Sequence, residues 1–122
     1  MSNISAAILG QCKAKLLETK TRLMNQLLDQ RQHLASREVT GDEADLGALA
    51  FDESQLYVKN QRVREQLLEV EFALARIERG NYGVCEETQE PIEAERLLAL
   101  PWTRLSIEGA EIRETSGRRQ TS

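Results

Sequence analysis

Cys85 is followed at once by Glu86 and Glu87. A thiol with two adjacent carboxylates is part of a metal-ligand set, because thiolates, imidazoles and carboxylates are the groups that bind zinc, four at a time in structural sites. The set is incomplete. The single histidine, His33, falls in a different predicted segment, and the other cysteine, Cys12, stands near the N-terminus. Two thiols that far apart give no disulfide framework, so both read as free thiols, and one thiol cannot supply a structural zinc site. The carboxylates beside Cys85 should disfavour its thiolate, which argues against a reactive nucleophile. A second cluster, Asp42, Glu43 and Asp45, concentrates negative charge within four positions. Taken alone, Asp42 reads as a helix cap and Asp45 as an acidic residue in the first turn, where the helix dipole favours it. There is no nucleophile beside a base, no acid/base pair in an evident cleft and no glycine-rich phosphate loop, so an enzyme is not expected.

The elements that would position these residues follow from hydrophobic periodicity. From about Ser5 to Arg37 there is no proline, and Leu9, Leu16 and Leu23 recur every seven residues; Leu17 with Met24, and Leu27 with Leu34, repeat the same step. This spacing predicts a long helix with an apolar stripe. The run from Ser36 to Asp45 breaks the pattern and gathers glycine and acidic residues, which predicts a turn. From about Asp42 to Arg79, Leu49, Leu56, Val63, Val70 and Ile77 form an unbroken heptad row. The companion row Leu46, Glu53, Asn60, Leu67, Leu74 is polar at its centre, which places Glu53 and Asn60 either at a solvated seam edge or in a register-fixing role. Two such helices joined by a short turn should pair antiparallel. A helix of about 35 residues is roughly 50 Å long at 1.5 Å per residue, which would put the acidic turn at the far tip. Gly80-Asn81-Tyr82-Gly83 then stops the second helix, with Gly80 or Asn81 suited to a left-handed cap.

The 122 residues suffice for one core with a small appended module, and a chain with 4% aromatic and 30% charged residues suits solvated helices better than a sandwich or barrel. The net charge of -4 argues against direct nucleic acid binding and in favour of a protein partner. No apolar run approaches the roughly 18 residues of a membrane span, and Met1–Gly10 does not read as a secretory signal, so a cytoplasmic chain is expected.

The stretch Arg79-Gly80-Asn81-Tyr82-Gly83-Val84-Cys85-Glu86-Glu87-Thr88, followed by Pro91-Ile92, Glu95-Arg96-Leu97, Ala99 and Pro101, resembles the finger of the DksA/TraR family. There a G-x-Y-G-x-C-x-x-C segment precedes I-x-x-x-R-L-x-A-x-P and a second C-x-x-C, and the four cysteines bind zinc. In this chain the four slots fall at Cys85, Thr88, Ser106 and Gly109, so the spacing is kept and three ligands are gone. The family's tip motif, D-x-x-D-x-A, is matched by Asp42, Asp45 and Gly47, with glycine in place of the final alanine.

The resemblance implies a mainly α fold: a long antiparallel coiled-coil hairpin over residues 1–79 with its acidic tip near 40–47, a degenerate zinc-finger module without metal ligands over 80–114, and a flexible tail over 115–122. Tyr82, Ile92, Leu97, Leu98, Leu100, Trp102, Leu105 and Ile107 could replace the metal with a small apolar core. It further implies a monomeric, cytoplasmic bacterial regulator of transcription that binds RNA polymerase. The tip would enter the polymerase's secondary channel and modulate initiation without zinc. Arg62 and Arg96 are candidate polymerase contacts. A guanosine tetraphosphate (ppGpp) co-regulator of the stringent response would bind only jointly with polymerase, since nothing in the chain resembles a self-sufficient nucleotide pocket. The competing expectations are an inactive paralogue and a coiled-coil interaction or scaffold protein.

Overall fold

The computed structural model describes residues 4–35 and 43–121. They form four helices, α1 (Ala6–Ala35), α2 (Glu43–Arg79), α3 (Ala94–Ala99) and α4 (Ile107–Thr121). Among the described residues there is no strand, only an isolated antiparallel bridge between Val84 and Pro91. No described helix is long and apolar enough to cross a membrane. The architecture is the expected mainly helical one, two long helices followed by a small C-terminal module.

The boundaries have local causes. Ser5 caps α1, its Oγ accepting the Ile8 N–H at 3.2 Å. At the end of α2, Gly80 takes φ +80°, and Gly80 N–H and Asn81 N–H donate to the carbonyls of Ile77 and Arg76 at 3.2 and 3.1 Å. This is a Schellman stop, and of the two expected candidates Gly80 is the left-handed one. Ser106 caps α4, its Oγ accepting the Gly109 N–H at 3.0 Å, while Glu93 Oε2 accepts the Ile107 N–H at 3.2 Å. With Glu108 in its first turn, α4 continues to Thr121.

The chain divides into two compact units. The first combines Met1–Thr19 with Glu69–Ser122 and holds most of the core: Cys12, Leu16, Val70, Ala73, Tyr82, Cys85, Ile92 and Leu97 are all buried. The proposed apolar substitute for a metal is only partly realised there. Tyr82, Ile92 and Leu97 are buried, Leu98, Trp102 and Leu105 are half-buried, and Leu100 and Ile107 are exposed.

Four side chains fasten the end of α3 and the loop after it inside this unit. The last carbonyls of a helix have no partners within it. Here Cys12 Sγ donates to the Leu97 carbonyl at 3.6 Å and Lys15 Nζ to the Leu98 carbonyl at 2.7 Å. Tyr82 Oη donates to the Pro101 carbonyl at 2.7 Å and an Arg76 guanidinium nitrogen to the Trp102 carbonyl at 3.2 Å. Burial, with the Cys12 thiol beside it, pushes the Tyr82 phenol above its ordinary value. Burial lowers that of Arg76.

The second unit, Lys20–Leu68, buries Leu23 and Val63, with Leu27, Leu49, Leu56 and Leu67 half-buried. Gln30 Oε1 and Asn60 Oδ1 are enclosed and have no hydrogen-bond partner among the described residues. Glu53, the other polar member of that row, is exposed.

One expected row is displaced. Leu17 and Met24 are 47% and 51% exposed, whereas Cys12 is buried and Thr19 and Gln26 are half-buried. At 3.6 residues per turn, the residue after a core leucine lies about 100° around the helix, whereas one three places on lies about 60° away on the other side. The seam of α1 therefore takes a thiol, a threonine and a glutamine in preference to a leucine and a methionine.

Candidate functional site

The loop between α2 and α3 is a tight knuckle. Cys85 N–H donates to the Glu90 carbonyl at 2.8 Å, Gln89 N–H to the Cys85 carbonyl at 2.9 Å, and Ile92 N–H to the Gly83 carbonyl at 2.8 Å. Gln89 adopts φ +63° to complete it. Gly83 takes φ +87°, a backbone conformation that strains any residue with a Cβ, and a Cβ there would also displace the Ile4 side chain.

The fold brings the four slots of the finger together. Cys85 is fully buried beside Ser106 and Gly109, with Thr88 three residues on in the same knuckle. A Cβ at Gly109 would run into Cys85 Sγ and lie 3.3 Å from Ser106 Oγ. Burial pushes the Cys85 thiol up, but the donors on Ser106 and Thr88 outweigh it and hold the thiol at about 6. This corrects the expectation from sequence that Glu86 and Glu87 disfavour the thiolate. Both carboxylates are partnered by arginines: Arg113 lies 3.4 Å from Glu86 and 3.0 Å from Glu87, and Arg104 lies 3.9 Å from Glu86. These pairs are about two-fifths exposed and contribute little stability themselves.

The donor set does not fit a structural zinc. Such a site needs four Cys, His or carboxylate ligands. The slots offer one thiol, two neutral hydroxyls and a glycine without a side chain, and the described residues contain no group of three or more His, Cys, Asp or Glu placed to hold a metal.

The other candidate residues are not gathered at this site. Asp42 lies outside the described residues. Asp45 lies in the first turn of α2, and Gly47 two residues on is exposed, with nothing within 4 Å of where a Cβ would stand. Arg62 is exposed on α2. Arg96 is half-buried and donates through Nε to the Leu105 carbonyl at 2.8 Å, so it also holds the loop before α4 in place. The residues missed from sequence are Cys12, Lys15, Tyr82 and Arg76 in their role as carbonyl partners. Only the seam position of Cys12, three residues after Leu9 and four before Leu16, hinted at any of this.

Residues 80–114 match the prokaryotic dksA/traR C4-type zinc finger family. An uncharacterised protein of Aquifex aeolicus is 33% identical over 111 residues, covering 85% of this chain and 74% of that one. The RNA polymerase-binding transcription factor DksA of Caulobacter vibrioides is 35% identical over 105 residues, covering 84% of this chain and 72% of its own. Transcription factor DksA2 from Pseudomonas aeruginosa superposes with a TM-score of 0.84 at 32% identity, over 93% of this chain and 88% of that one. Similarity on this scale extends well beyond the finger, and the chain belongs to the DksA/TraR family.

Proposed function

We propose that this protein binds bacterial RNA polymerase and modulates transcription initiation by placing the acidic turn around Asp42, Asp45 and Gly47 in the secondary channel, with a finger that folds without zinc. The observation that carries the reading is the 35% identity over 84% of the chain to an RNA polymerase-binding transcription factor. Supporting it, Gly47 is exposed and its absent side chain leaves no contact unmade. Carboxylates at a tip can alter a basic or metal-bearing centre through charge and hydrogen bonding. Arg62, exposed on α2, is the better-placed polymerase contact, because Arg96 is already engaged within the finger. Nothing in this mechanism requires enzymatic activity, a membrane or direct contact with nucleic acid. A ppGpp effect would arise only in the complex with polymerase.

The test is transcription in vitro from a ribosomal-RNA promoter, using protein purified over a zinc chelator and moved into magnesium buffer. The wild type is expected to change transcript output, and the double variant Asp42→Asn, Asp45→Asn to bind polymerase without doing so. Absence of both binding and effect would sink the reading. A second reading, self-association, draws on the exposed Phe51, Tyr57 and Val58 of α2, which are 64%, 67% and 52% exposed. It predicts a concentration-dependent dimer where the first predicts a monomer, and mass in solution separates them.

A further inference from the structure

We propose that Lys20–Leu68 opens as a unit of its own, and that the enclosed amides of Gln30 and Asn60 set how readily it does so. This behaviour belongs to the chain itself and does not depend on polymerase.

Heptad spacing gives both residues a place in the seam. Leu9, Leu16, Leu23 and Gln30 stand seven apart in α1, and Leu46, Glu53, Asn60, Leu67 and Leu74 do the same in α2. Leu16 and Leu23 are buried, so Gln30 is the next step of a core row and puts an amide where the two preceding steps have leucines. Gln30 and Asn60 are half-buried as residues, yet Gln30 Oε1 and Asn60 Oδ1 are enclosed and meet no hydrogen-bond donor among the described residues. Enclosing a carbonyl oxygen without a donor forfeits its bond to water, so each amide favours an open seam, in which water reaches it, over a closed one. A polar residue at a seam position fixes the register at a cost in stability.

The rest of the unit offsets this cost poorly. Its buried apolar residues among those described are Leu23 and Val63, while Gln26 takes another half-buried place and Glu53 is exposed. Both helices run unbroken through the boundaries of the unit, so no break in the backbone limits the opening. The limit is set by side chains, where the amide-bearing seam gives way to the fully buried Leu16, Val70 and Ala73. Asp45 belongs to Lys20–Leu68, so the opening carries it along while the finger stays folded.

The test is hydrogen exchange of the full chain under native conditions, followed at low, rising denaturant. In the wild type, amides of residues 20–35 and 43–68 should exchange through an opening that depends on denaturant less steeply than the one exposing amides around Leu16, Val70 and Leu97, because a partial opening uncovers less surface. In the double variant Gln30→Leu, Asn60→Leu, exchange of these segments should slow by about tenfold or more, with little change around Val70 and Leu97. Gln26→Leu replaces a half-buried amide that leaves no enclosed oxygen unpartnered, and should slow them much less. If all the helical amides share one opening, the unit has no motion of its own. If the double variant exchanges as fast as the wild type or faster, or if Gln26→Leu slows exchange equally, the two amides do not set it. Either result overturns the proposal and leaves the polymerase reading to its own transcription test.

Discussion

Cys85 combines complete burial with a thiol held at about 6, and its stability contribution follows from that pairing. The ordinary value of 9.0 stands for the unfolded chain, so the folded value is depressed. A depressed acid stabilises the fold fully above the unfolded value, and that contribution is lost as pH falls through the folded value. Glu86 and Glu87, beside Cys85, lie in ion pairs with Arg104 and Arg113. The melting temperature of the finger is therefore expected to fall as pH drops from about 9 to about 6, with a shallower slope in Cys85→Ser. Equal slopes would assign the effect to other groups. At Gly47 the open surroundings predict that alanine stabilises α2 by about 1 kcal/mol, since glycine is the poorer helix former in an exposed interior position. Chemical denaturation measures the gain, and transcription in vitro then shows whether the family's alanine at this position changes activity. Of the candidate site, the residue identities and slot spacing were legible in the sequence through the resemblance. The packing of the slots was not, because Ser106 and Gly109 reach Cys85 only once α3 and the following loop have folded back.

Heptad spacing located α1 and α2 to within a few residues, because that signal is local and long. It misassigned the second row of α1, where apolar identity at Leu17 and Met24 outweighed angular position, and it left α4 unseen. Ser106 and Glu108 at the start of α4 carried the missing signal, a capping side chain with an acidic residue in the first turn. The attachment of α3 was out of reach altogether, since it depends on backbone carbonyls that no side-chain pattern reports. That attachment can be probed at Tyr82. Tyr82→Phe keeps the ring and strands the buried Pro101 carbonyl, and should cost about 1–2 kcal/mol in chemical denaturation. A cost near zero would show that the phenol hydroxyl does not hold the loop.

At the scale of the whole molecule, burial is unevenly shared between the two units. Eight of the ten buried apolar residues among those described belong to the unit built from Met1–Thr19 and Glu69–Ser122. The unit Lys20–Leu68 has Leu23 and Val63, and carries the unpartnered Gln30 and Asn60 oxygens. Regions with few buried apolar groups open more readily, so amide hydrogens of the described helical residues 20–35 and 43–68 should exchange faster than those around Leu16, Val70 and Leu97. Uniform protection would contradict this. The composition of the units also bears on synthesis at the ribosome. Lys20–Leu68 is continuous, and all of it can leave the exit tunnel while the end of Glu69–Ser122 is still being translated. Met1–Thr19 emerges before Lys20–Leu68 and its partners in Glu69–Ser122 after it, so Cys12 and Leu16 remain uncovered until Glu69–Ser122 has been made. A nascent chain arrested near Leu68 should therefore present that apolar segment to chaperones, and one released after α4 should not.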